Sequence, residues 1–184
     1  MRKSESIRMM VVAAMFLAIA YVLPFLTGQI PEVGAMLCPM HIPVLLCGFV
    51  CGGPWGILVG FMAPLLRSVT LGMPPLFPTA FCMAFELATY GGVAGFMHRV
   101  LSGKKKMIYV TLLVAMISGR IVWGIMMAVC LGVQGGTFGV EALLAGAITN
   151  AIPGIVVQFL LIPVLVMTLD KTKAVQFDYK VEQG

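Results

Sequence analysis

Long apolar stretches dominate this chain, and Gly, Pro and Lys punctuate them. A helix crosses the hydrocarbon core of a bilayer with about 20 mainly apolar residues. The pattern predicts six such helices, over about 7–26, 36–52, 54–72, 78–100, 107–131 and 140–168, by that length rule. The second is short, and only Gly52-Gly53-Pro54 divides it from the third. The breaks between the others carry turn chemistry: Pro24 and Pro31, then Pro74-Pro75 and Pro78, then the basic run Lys104-Lys105-Lys106, then Gly132, Gly135, Gly136 and Gly139.

Composition agrees with that pattern. The 184 residues are 60% hydrophobic and 10% charged, and the mean hydropathy is +1.04. Soluble domains carry about 25% charged residues. The expected fold class is an all-α integral membrane protein, a six-transmembrane-helix bundle with residues 1–170 as one domain and 171–184 as a polar cytoplasmic tail. Arg2, Lys3 and Arg8 ahead of Ala18-Ile19-Ala20 resemble a secretory leader. The apolar run continues through Tyr21-Val22-Leu23, so a retained first helix is the simpler expectation.

The net charge of +5 does not indicate nucleic-acid binding, because the basic residues cluster where they orient a membrane protein. Ten of the twelve Lys and Arg fall on one side of the predicted bundle: Arg2, Lys3, Arg8, Arg99, Lys104, Lys105, Lys106, Lys171, Lys173 and Lys180. The positive-inside rule then makes both termini cytoplasmic, in a multi-pass protein of the plasma membrane. Loops 27–35, 72–78 and 132–139, which hold no Lys or Arg, face outside.

Arg67 and Arg120, the two remaining cations, and the carboxylate Glu86 fall inside apolar runs. An ionised group at the bilayer centre costs roughly 3 kcal/mol or more, so such residues face a partner or a wet cavity. On the expected topology Glu86 lies roughly 12 Å and Arg120 roughly 16 Å from the outer surface, at about 1.5 Å per residue. They meet in the outer half of the membrane, as the floor of a binding pocket, as a structural ion pair, or as both. His41, Arg67 and Asn150 fall at compatible depths. Tyr90 lies one turn from Glu86, and Trp123 and Met127 share the face of Arg120. Each has a structural alternative: helix packing for His41, snorkelling for Arg67, an interhelical hydrogen bond for Asn150. Gln158 is deeper and reads as structural. Arg67, Arg120 and Glu86 sum to +1, which suits an anionic ligand such as a carboxylate, the natural bidentate partner of guanidinium.

Other chemistry is missing. The string Ser102-Gly103-Lys104-Lys105 lacks the upstream Gly of a phosphate-binding loop, since position 98 is His98. No metal or cofactor motif is present, no cofactor is expected, and no nucleophile stands with a base. The cysteines Cys38, Cys47, Cys51, Cys82 and Cys130 form no CxxC pair and read as small buried hydrophobes. Small residues four apart recur, at Ala14 and Ala18, Gly48 through Gly60, Gly91 and Gly95, and Ala147 and Ala151. Such ridges let membrane helices pack closely.

Several strings together resemble the S component (the substrate-binding membrane subunit) of an energy-coupling factor (ECF) vitamin transporter. They are Ala14-xxx-Ala18, residues 38–48 (CPMHIPVLLCG), Ala63-Pro64-Leu65-Leu66-Arg67, residues 73–80 (MPPLFPTA) and residues 84–91 (AFELATYG). The likeness spans roughly residues 5–170 and is nearest the branch linked to pantothenate. It implies capture of a water-soluble vitamin from outside and docking, through Ala14 and Ala18, on a transmembrane T component that sits on two ABC-type ATPases. It also implies a pocket for pantothenate, with Arg120 on the carboxylate and Glu86, Asn150 and His41 as hydrogen-bonding partners. Lipoate, niacin and biotin are also carboxylates, whereas riboflavin and pyridoxine fit the charge sum less well. A self-sufficient secondary transporter is the other transport reading, although no inverted repeat is visible. An intramembrane enzyme or a scaffold is the third.

Overall fold

The computed structural model describes residues 3–27, 39–101, 105–133 and 152–172. Among these residues there are six α-helices and no strand. They are α1 (Lys3–Val22), α2 (His41–Cys51), α3 (Gly53–Leu71), α4 (Phe81–Val100), α5 (Lys105–Val133) and α6 (Ile152–Thr172). Four spans are long and apolar enough to cross a membrane: Ser6–Leu26, Gly53–Leu71, Leu76–Val100 and Met107–Val133. The stretches His41–Cys51 and Gly154–Leu169 are shorter apolar helices.

Local chemistry sets the ends. Helix α1 stops at Val22 and gives way to a 3-10 turn, Leu23–Thr27, because Pro24 has no N–H for the next helical bond. Gly52, with φ of 88°, makes the sharp corner between α2 and α3, and Pro54 stands in the first turn of α3, where its missing N–H costs nothing. Gly72, at φ of 69°, ends α3 in the left-handed conformation and returns its N–H to the Ser68 carbonyl. The fourth helix starts later than the sequence pattern indicates. Phe77 is extended (φ −126°, ψ 133°), as a residue before proline prefers, and regular α-helix begins only at Phe81. The predicted starts of the second and sixth helices, and the tail beyond Thr172, lie outside the described residues.

Helix α4 is the centre of the bundle and packs against α2, α3 and α5. Glycine makes this possible. A Cβ on Gly48 of α2 or Gly56 of α3 would run into the Gly91 backbone on α4. One on Gly60 would meet the Leu87 backbone, and one on Gly95 would meet Gly52 and Gly53. The expectation that these ridges serve internal packing is met: the three helices touch backbone to backbone. Val44, Leu45, Leu87, Tyr90 and Leu112 fill the core around that seam. The four described cysteines, Cys47, Cys51, Cys82 and Cys130, are buried and free.

The outer surface is apolar. On α5, Leu113, Ile117, Ile121, Ile125 and Val129 are all exposed at four-residue spacing. On α1, Ile7, Val11, Met15, Ile19 and Val22 are exposed. Side chains of this kind lie outward where lipid is the solvent.

Candidate functional site

Two ionisable residues of the interior, Arg120 and His41, converge on Glu86. It projects from α4 and is 1% exposed. Arg120, on α5, brings Nη1 to 3.1 Å from Glu86 Oε1. His41, the first residue of α2, brings Nε2 to 3.7 Å from the same oxygen. That distance is too long for a hydrogen bond, and among the described residues neither ring nitrogen of His41 has a hydrogen-bond partner, although the residue is 2% exposed. Tyr90, one turn along α4, packs its ring 5.2 Å from the His41 ring at a 59° tilt. Three helices thus meet at one carboxylate oxygen.

Exposure within the cluster is unequal. The side chain of Arg120 is 17% exposed, against 2% for Glu86. The Arg120 side chain therefore keeps some accessible surface that Glu86 lacks, although its Nε is buried, and its guanidinium carries five N–H donors. Trp123 and Met127, three and seven residues further along α5, are half-buried and share the helix face of Arg120. Nearby hydroxyls are spoken for: Thr89 donates to the Phe85 carbonyl and Ser118 to the Val114 carbonyl.

Three residues that spacing alone did not single out lie around the cluster. Gly119 precedes Arg120, and the Tyr90 ring occupies the space of its missing side chain. Cys82, one turn before Glu86, and Cys130 bring their sulfurs to 3.7 Å and join α4 to α5 on another level. The signal for Gly119 was its place beside a membrane arginine. Cys82 and Cys130 lie 48 residues apart and gave no such signal.

Arg67 has other company. Its Nη1 donates to the Tyr21 carbonyl at 2.9 Å, and its guanidinium stands 5.0 Å from the centroid of the Phe25 ring. It is 4% exposed, so it does not snorkel. The Tyr21 hydroxyl lies 3.0 Å from Thr70 Oγ1, which donates to the Leu66 carbonyl. Arg67 thus satisfies a carbonyl at the C-terminal end of α1, where cations are favourable, and fastens α1 to α3. Glu86 and Arg120 bring one negative and one positive charge to the cluster, and Arg67 keeps its own charge at the contact between α3 and α1. Asn150 lies outside the described residues. No group of three metal-ligating side chains occurs among the described residues. Ala14 and Ala18 are both exposed on α1, whereas Ala13 and Ala20 are buried.

A helical membrane protein with a polar cluster buried among three helices is the class these features define. The family described as "ECF transporter, substrate-specific component" matches residues 8–166. The chain belongs to that family, whose members are the substrate-binding subunits of transporters. No curated protein and no solved structure matches the chain significantly.

Proposed function

We propose that this S component captures a water-soluble vitamin bearing a carboxylate, with pantothenate the first choice, and that Arg120 receives the carboxylate. One observation carries the reading: Arg120 stands 3.1 Å from a buried Glu86 while its own side chain stays 17% exposed. Glu86, His41, Tyr90 and Trp123 complete the site, with Asn150 of the sixth predicted helix as a further partner. The half-buried indole of Trp123 suits the apolar part of such a ligand.

The remaining steps follow from the family. Both termini are cytoplasmic, the site opens outside, and the protein sits in the plasma membrane. Loaded protein docks on a T component with two ATPases, and the outward-facing Ala14 and Ala18 of α1 form the contact. The absence of a phosphate-binding loop agrees with an energy source on another subunit.

The test is a thermal-shift screen of the detergent-purified protein against pantothenate, lipoate, niacin, biotin, riboflavin and pyridoxine. A ligand that binds only the folded state stabilises it by about 4 kcal/mol at a thousandfold excess over Kd. Pantothenate is expected to give the largest shift, and Arg120→Ala to abolish it. A shift from riboflavin or pyridoxine alone would reject the carboxylate.

A further inference from the structure

We propose that Cys82 and Cys130 are an oxidisable thiol pair, which hydrogen peroxide converts into a disulfide that bolts α4 to α5 beside the Glu86–Arg120 pair. The two sulfurs carry this inference whatever ligand the subunit takes.

Position comes first. Cys82 is the second residue of α4, and Cys130 is the fourth from the end of α5. The start of one helix thus meets the end of the other, and the Cys82 thiol donates to the Cys130 sulfur at 3.7 Å. Side chains that already point at each other meet the first condition for a cross-link. Neither cysteine belongs to the main apolar core, whereas Cys47 and Cys51 do, one turn apart on a single helix. Packing around Cys130 is thin. Val129, Gly132 and Val133 are exposed, and a Cβ on Gly132 would meet no described atom within 4 Å. Cys130 is itself 4% exposed and Cys82 0%, so a small neutral oxidant reaches Cys130 first.

Charge selects the chemistry of the pair. A soft metal ion would displace both thiol protons. A monovalent ion would then leave a net negative charge in an apolar setting, at high cost, and a divalent one finds no third ligand to complete a set among the described residues. A disulfide leaves nothing charged. The Cys130 thiol takes one oxygen from the peroxide, becomes a sulfenic acid and releases water. The Cys82 sulfur attacks that sulfur, the hydroxyl leaves with the Cys82 proton as a second water, and the S–S bond closes. Both sulfurs are oxidised, the peroxide O–O bond is reduced, and a thiol reductant reverses the change.

The effect falls next to the polar cluster. Glu86 stands one turn after Cys82 on α4, and Arg120 reaches it from α5 at 3.1 Å. The disulfide adds a covalent tie between the two helices that share this ion pair.

The sequence makes the join easy to read. Cleavage after Lys and Arg puts Cys82 alone on fragment 68–99 and Cys130 alone on fragment 121–171, while Cys38, Cys47 and Cys51 all fall on fragment 9–67. The purified full-length protein is treated with hydrogen peroxide, its free thiols are alkylated in denaturant, and the fragment masses are read without reductant. Fragments 68–99 and 121–171 are expected to be joined in most of the protein, and to separate on reduction. Amide hydrogen exchange over 128–133 should slow severalfold in the oxidised protein and recover with reductant. Cys82→Ser should lose both effects. The fragment map decides on the unaltered protein, so poor folding of C82S leaves the test intact. Both cysteines still alkylated, either one stranded as a sulfinic acid, or either one joined to fragment 9–67 overturns the proposal. The expected join with unchanged exchange overturns the tie between α4 and α5.

Discussion

The ring of Tyr90 fills the space that a side chain at residue 119 would need, so Gly119 and Tyr90 act as a lock and its key between α5 and α4. The same ring lies 5.2 Å from His41. A change at residue 119 therefore reaches the binding cluster through one intermediary.

Gly119→Ala should force Tyr90 aside at a cost of about 1–3 kcal/mol, the usual range for overpacking. Thermal melting of the purified protein measures it. Ligand affinity should fall with stability, because Tyr90 no longer steadies His41. Adding Tyr90→Leu should relieve the crowding, so that the double variant is more stable than the two single losses summed. Simple additivity would contradict the contact.

Breaking the Glu86–Arg120 pair from one side should cost more than removing both charges. Glu86→Gln or Arg120→Met alone removes one member of the ion pair, at about 3–5 kcal/mol when burial is complete. Arg120 retains some exposure, so E86Q is expected at the lower end of that range. The double variant should recover part of the loss, and a melting-temperature cycle over the four proteins reads the coupling. Stability unaffected by either single change would mean the pair contributes nothing to the fold.

Arg67→Ala should loosen the end of α1. A hydrogen bond from a charged donor contributes about 1.5–3 kcal/mol, and the contact with Phe25 adds about 0.5–2 kcal/mol. Hydrogen exchange at Tyr21 to Phe25 should quicken while pantothenate affinity stays as it was. Lost affinity at unchanged stability would return Arg67 to the ligand site.

Ala14→Leu with Ala18→Leu enlarges an outward face of α1 that the core does not use. Ligand binding by the purified subunit should be untouched. Vitamin uptake by cells and co-purification with a T component should both drop. Uptake at the level of the unaltered protein would move the docking surface elsewhere.

Glu86 and Arg120 were legible in the sequence for a simple reason. Charged residues in apolar runs have few tolerable environments, and depth counting set both at one level. His41 and Tyr90 followed from the same counting. The contact of Arg67 with α1 was not legible, because depth says nothing about a neighbouring helix that ends in unsatisfied carbonyls, and Tyr21 is such an end. Gly119 went unseen because glycine in a membrane helix so often means close helix packing, and here the partner is a ring rather than a backbone. The late start of α4 turns on the extended backbone at Phe77, a single dihedral choice that hydropathy does not register.

Backbone contact at Gly48, Gly56 and Gly91 leaves no side-chain layer that can reshuffle between α2, α3 and α4. Those three helices are consequently fitted together as a single plank. His41 and Glu86 ride on it together, whereas Arg120 belongs to α5, outside the plank. If the binding cluster is ever prised apart, the split runs between the carboxylate and the guanidinium. The imidazole stays with the carboxylate, and the guanidinium goes with α5.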